Sequence, residues 1–179
     1  NRKGGETYAY IEKKEKGVWK RLDNTVKIEP ASYDDDFIHG LQKGEYRLLI
    51  KAPKTQLNAV SFTKSSKSKN VAYKKSKAKS ISLNKEISNI YTTGEKAERW
   101  YKVKVTSSKK KRRLEFGEDT VSYKFTIYKA GSKKVFKTIK VTQEASGKMV
   151  TLPKKKGTYY FKISKLTKKT NGVYEIGYY

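Results

Sequence analysis

Five runs in the second half of the chain alternate large apolar with polar side chains. Val103 and Val105 alternate with lysines in Trp100–Val105 (WYKVKV), and Tyr123, Phe125 and Ile127 do the same in SYKFTIY. The period of two returns in Val135, Lys137, Ile139 and Val141, in Tyr159, Phe161 and Ile163, and in Tyr174, Ile176 and Tyr178. Such a period sends one face of a strand into a core and the other into water. Turn residues punctuate the runs at Ala130-Gly131-Ser132, Ser146-Gly147-Lys148, Lys156-Gly157 and Asn171-Gly172. Short strands at regular spacing predict an all-β fold, an antiparallel β-sandwich of jelly-roll-like type. The run 84–90 is the one place where a helix competes with a strand.

Charge divides the chain. Residues 1–63 hold 12 basic and 9 acidic residues, residues 64–80 hold seven lysines and no acid, and residues 81–179 hold 24 basic and 8 acidic residues. The net charge of +26 therefore lies almost wholly beyond residue 63. This asymmetry predicts two units, with the Lys/Ser-rich stretch 64–80 (KSSKSKNVAYKKSKAKS) as a solvated linker and 81–179 as a complete sandwich. Aromatic residues at 12 %, with 14 tyrosines, set the chain apart from disordered basic tails. No apolar run approaches the roughly 20 residues of a membrane-spanning helix.

The first unit reads as a shorter copy of the second. Gly44, Tyr46, Leu48 and Ile50 align with Gly157, Tyr159, Phe161 and Ile163 at a spacing of 113, and Val60 and Phe62 align with Tyr174 and Ile176 one residue later. Upstream, Tyr8–Trp19 (YAYIEKKEKGVW) matches Phe125–Phe136 (FTIYKAGSKKVF), each hairpin-like around a glycine. The second copy has some 40 residues ahead of its hairpin, where the first has only 1–6. The expectation is that 1–63 is the C-terminal portion of a sandwich and that the chain belongs to a longer protein.

Residues 78–179 resemble the bacterial pre-peptidase C-terminal (PPC) domain, an extracellular β-sandwich appended to secreted proteases and other surface proteins. The carriers are the Ile81–Ile90 lead-in, Trp100-Tyr101-Lys102-Val103, the Leu114/Phe116 strand, Gly157-Thr-Tyr159-Tyr-Phe161-Lys-Ile163, and Gly172-Val-Tyr174-Glu-Ile176. The first copy matches the later half of this pattern. The resemblance implies a secreted or cell-surface location on a bacterium and other domains in a longer parent chain. Related collagen-binding domains include some that hold calcium through acidic residues near the domain start. Here the nearby oxygen donors are Asn84, Glu86 and Asn89, without a carboxylate cluster, so no cofactor is expected.

With no cysteine and one histidine, His39, thiolate chemistry is excluded and a Ser–His or histidine–metal site would rest on one residue. Ser32 is a possible nucleophile for His39, and a surface or turn histidine is the simpler reading. Asp34-Asp35-Asp36 offers hard oxygen ligands, but lacks the alternating donors and distal bidentate acid of an EF-hand loop. No P-loop, GxSxG or HExxH pattern occurs, and no catalytic residue or metal ligand is assigned. Lys109-Lys110-Lys111-Arg112-Arg113 is the densest basic run and the candidate polyanion patch. Tyr101, Tyr128 and Tyr160 are the candidate outward-facing aromatics, with Tyr159 and Tyr174 in the core.

The reading is a non-enzymatic binding or targeting module that attaches to an anionic glycan, cell-wall or matrix polymer. Its rivals are a structural spacer without a ligand and a basic nucleic-acid-binding protein. The latter lacks any RRM, KH, helix-turn-helix or zinc-finger pattern.

Overall fold

The computed structural model describes residues 7–22, 26–28, 40–51, 71–92, 94–95, 98–118, 122–142, 147–167 and 170–179. Within them the chain is all-β, interrupted by a single short 3-10 turn at Lys75–Lys77. Strands β1 (Thr7–Glu15), β2 (Val18–Arg21), β3 (Val26–Ile28) and β4 (Tyr46–Lys51) form one sheet. The second unit packs two sheets face to face. One runs β10 (Val135–Val141), β9 (Tyr123–Tyr128), β12 (Gly157–Lys165), β7 (Glu98–Val105) and β5 (Lys79–Ser80). The other runs β11 (Lys148–Leu152), β8 (Arg112–Glu118), β13 (Gly172–Tyr178) and β6 (Lys85–Tyr91). The antiparallel sandwich expected from the alternation is present, with one parallel pair, β5 on β7.

The period of two places the core. Val103, Val105, Phe125, Ile127, Phe161 and Ile163 on one sheet meet Leu114, Phe116, Val150, Leu152 and Ile176 on the other, all buried. Phe116 bridges the sheets, its ring 4.4 Å from Phe125 and edge-on to Phe161 at 5.8 Å. Tyrosines fill much of the rest, and the hydroxyls of four of them are satisfied by backbone. Tyr91 donates to Ile163 O, Tyr123 to Gly172 O, Tyr178 to Lys104 O and Tyr159 to Lys155 O. Large rings thus add apolar burial without leaving a polar atom stranded.

Three expectations change. The run 84–90 is a turn residue, Asn84, followed by strand β6, in which Ile87 and Tyr91 face inward at even spacing while β13 pairs along its length. The part of the linker that the structure describes, 71–80, belongs to the second unit. Ala72 O accepts from Trp100 N, Ala78 is buried, and β5 pairs with Tyr101 and Lys102. Two buried alanines among the lysines carry this docking. In the repeat, the upstream alignment shifts by one residue. Ala9 and Ile11, rather than Tyr8 and Tyr10, pair with Ile50 and Leu48, whereas Phe125 and Ile127 pair with Ile163 and Phe161.

With that shift the two units correspond closely. β1 pairs with β2 over Glu12–Glu15 and with β3 over Thr7–Ala9, so β2 and β3 lie along one side of β1, and β4 lies on the other side. The order β2/β3–β1–β4 repeats β10–β9–β12. β10 carries an irregularity, between Val135 and Lys137. Among the described residues the first unit has no counterpart of β7 or of the second sheet.

Candidate functional site

Strand pairing decides which loops of the sandwich share an end. Val105, the last residue of β7, pairs with Gly157, the first of β12. Leu152, the last of β11, pairs with Arg112, the first of β8. β9 runs antiparallel to β12, which brings its far end, Tyr128, to the same place. Loops 106–111, 129–134 and 153–156 therefore meet. Gly157 records how closely: at φ 148° it takes a backbone form that other residues avoid, and a Cβ there would lie 2.7 Å from the Cβ of Ala130.

The Lys109–Arg113 run sits at this end. Lys109, Lys110 and Lys111 are exposed, and Lys109 N donates to Ser107 Oγ at 3.2 Å. Arg112 and Arg113 open β8. Arg112 is half-buried and helps lower the Tyr178 hydroxyl, which burial raises, while Arg113 and Tyr179 exchange backbone hydrogen bonds. The five residues thus divide into three exposed lysines of the loop and two arginines that open β8, of which Arg113 is also exposed.

The three candidate tyrosines do not form one surface. Tyr101 is a core residue, 1 % exposed, its ring stacked on Phe161 at 5.7 Å. It shares the inward parity of Val103 and Val105, so the alternation that fixed those two also fixes Tyr101. Its outward neighbour is Trp100, which sequence reasoning passed over as a site residue and which the same parity would have found. Tyr128 and Tyr160 do lie on the outer face, half-buried. Trp100 stacks on Tyr128 at 5.4 Å, and Lys75 Nζ lies 4.9 Å and 5.0 Å from the rings of Tyr128 and Tyr160. Lys162 Nζ lies 5.7 Å from Trp100 and pairs with Glu98. The result is a row of three rings across β7, β12 and β9, flanked by ammonium groups that are drawn to their faces.

A different polar centre lies at the opposite end. Arg99 is fully buried, with Nη1 donating to Tyr174 Oη (2.8 Å) and Nη2 to Ile90 O (2.7 Å) and both oxygens of Glu95 (2.6 and 2.7 Å). Its guanidinium lies 4.0 Å from the Tyr91 ring. Tyr174 and Tyr101 share a 2.6 Å hydroxyl contact, and Asn89 donates to Tyr101. Tyr73 and Thr92 also donate to Glu95. Burial works against the Glu95 carboxylate, but hydrogen bonds from Arg99, Tyr73 and Thr92 outweigh it and hold the group below the usual range. Burial, and then the bond to Glu95, push the Tyr73 hydroxyl up to about 12. Nearby, Lys165 donates to Thr92 O, and burial lowers its ammonium.

This end receives the first unit. Gly40 N donates to Asn171 Oδ1 at 3.1 Å, and a Cβ on Gly40 would stand 1.8 Å from Tyr91 O. No other residue fits there without moving the backbone. Asp34–Asp36, Ser32 and His39 fall outside the described residues, as do Val60 and Phe62. Of the oxygen donors near the start of the second unit, Asn84 is in a left-handed turn (φ 57°), Glu86 accepts from Tyr179 Oη, and Asn89 serves Tyr101. No group of three metal-ligating side chains is found among the described residues, and no helix there is long and apolar enough to cross a membrane.

No protein-family profile and no curated protein sequence matches the chain. Solved structures do. The chain is similar to a pre-peptidase C-terminal domain. That domain, of a collagenase from Bacillus anthracis, is 17 % identical, with a TM-score of 0.46 over 57 % of this chain and 94 % of that one. The chain is also similar to PliG of Salmonella Typhimurium, a periplasmic inhibitor of g-type lysozyme, at 10 % identity and a TM-score of 0.37 over 57 % of this chain and 100 % of that one. The first is the family whose resemblance residues 78–179 carry.

Proposed function

We propose that the second unit is a non-catalytic binding module that holds a larger secreted bacterial protein against an anionic cell-wall, glycan or matrix polymer. The observation that carries this reading is the state of Lys109, Lys110 and Lys111, exposed and without an ion pair among the described residues. Four cations of the first unit differ: Lys13, Lys14, Lys20 and Arg47 pair with glutamates. Unpaired lysines attract a polyanion at long range and release its counterions on contact. Trp100, Tyr128 and Tyr160 supply ring surface for short-range contact with sugar, on the outer face of the same sheet. The secreted or cell-surface location is part of this proposal and follows from the resemblance.

The test is binding of the whole chain to anionic glycan, cell-wall polymer, collagen and DNA across a salt series. Attachment to one polymer class that persists above about 0.15 M salt supports a specific module. Weak attachment to all four, gone at moderate salt, returns the chain to the spacer reading. Lys109→Ser, Lys110→Ser and Lys111→Ser together, leaving the two arginines that serve β8, should weaken binding and flatten its salt dependence.

A further inference from the structure

The basic run is one third of a larger cluster. Loop 106–111 contributes Lys109, Lys110 and Lys111, loop 129–134 contributes Lys129, Lys133 and Lys134, and loop 153–156 contributes Lys154, Lys155 and Lys156. All nine are exposed, and none takes part in an ion pair among the described residues. The three loops contain no acidic residue.

Two of the three lysine loops are held in place by contacts of their own. Tyr159, buried in the core, donates its hydroxyl to Lys155 O at 3.1 Å and so ties down loop 153–156. Loop 129–134 closes on itself through Lys129 N to Lys134 O (2.9 Å), Ser132 N to Lys129 O (3.1 Å) and Lys134 N to Ser132 Oγ (2.9 Å). The close approach of Gly157 to Ala130 joins these two loops. Five strands at about 4.8 Å spacing make the sheet end roughly 20 Å wide. That is about two Debye lengths at physiological salt, so the outer loops are screened from one another and only a polymer long enough to lie across the end meets all nine charges.

From this convergence we infer that the end of the sandwich formed by loops 106–111, 129–134 and 153–156 is a single end-on docking site for a flexible polymer of phosphate or sulfate groups. The inference rests on the anionic-polymer reading above and gives it a site and a ligand class. All nine cations are lysines. Arginine would favour planar, two-pronged recognition of a single group, whereas lysine is a point charge on a flexible stem. Such a site measures charge density along a chain rather than the shape of one group. Engagement is end-on, which leaves the Arg99 end and its contact with Gly40 facing away from the polymer.

The experiment uses the full chain, with long-chain inorganic polyphosphate and heparin as phosphate and sulfate probes, tripolyphosphate as a short probe, and affinity measured from 50 to 300 mM salt. Three triple Lys→Ser variants each remove one loop, and a fourth replaces Lys124, Lys140 and Lys148 on the strands. Each loop variant should lower the log–log salt slope by about two, at about 0.7 per lost contact on a flexible polyanion, and weaken binding by a similar factor whichever loop is changed. The strand variant should retain the wild-type slope, and tripolyphosphate should bind far more weakly than the long chain. Binding of only one long probe would assign the site to phosphate or to sulfate. Should a Ser variant melt early, the corresponding Lys→Gln set replaces it. Equal losses in strand and loop variants would overturn the docking site while leaving anionic binding intact. Failure of the wild-type chain to bind either long polymer at 50 mM salt would overturn both.

Discussion

The two ends of the second sandwich use positive charge in opposite ways. At one end a single guanidinium is taken out of water and surrounded: Arg99 is held by Glu95, Tyr174 and Ile90 O, with Tyr73 and Thr92 completing the shell of Glu95. At the other, nine lysines stand in water with no ion pair among the described residues. A buried charge is tolerable only with its partners in place, because removal from water costs several kcal/mol that geometry must offset. An exposed lysine carries almost no such cost and contributes correspondingly little to folding. The Arg99 end should therefore govern stability, and the lysine end should govern binding.

The sharpest way to break this contrast is at Glu95. Glu95→Gln leaves a buried guanidinium without its carboxylate and should cost about 3–5 kcal/mol by urea denaturation. Polyphosphate affinity measured well below the melting temperature should not change. A loss under 1 kcal/mol would mean that Arg99 is satisfied without its ion pair.

Tyr174→Phe is a smaller cut in the same network. It removes the acceptor for Arg99 Nη1 and the partner of the Tyr101 hydroxyl, at an expected cost of about 1–3 kcal/mol. The pH dependence sharpens the picture from the other side. The Glu95 carboxyl lies below its unfolded value of about 4.3, so its contribution is complete above that value and is lost as pH falls through the lower folded one. Stability measured from pH 6 to pH 3 should decline with an acid limb that Glu95→Gln flattens. An unchanged limb in that variant would assign acid sensitivity to other carboxylates.

The smallest effect is expected at the lysines. Replacing Lys154, Lys155 and Lys156 by Ser should shift stability by no more than about 0.5 kcal/mol, and in the stabilising direction at low salt, because like charges repel less. A melting temperature several degrees lower would show that these lysines support the fold.

Much of this architecture is legible as parity along a strand. In Glu98–Val105 the inward positions are Arg99, Tyr101, Val103 and Val105, and the outward ones Glu98, Trp100, Lys102 and Lys104. The valines are read correctly from that rule. Tyr101 is not, because its hydroxyl suggests a surface role while the same rule puts it inside. The buried Arg99 stands at an inward position too, so the sequence marks it as an anomaly. Nothing in a linear reading names its partners, since Tyr174 lies 75 residues away. The stretch 71–80 misleads for the opposite reason. Its lysines dominate its composition, while two small residues, Ala72 and Ala78, decide that it docks.

What the sequence determined by itself is local: the β class, the inward face of most strands and the neutral-to-basic divide, all of which follow from side-chain period and composition. The tertiary structure alone decided which loops meet. Three groups of three lysines, spread over residues 109–156, become one cationic end only because β7, β9 and β11 all finish where β8 and β12 begin. Hydrogen-bond register between strands far apart in sequence sets that arrangement, and a period of two says which way a side chain faces without saying which strand lies beside it.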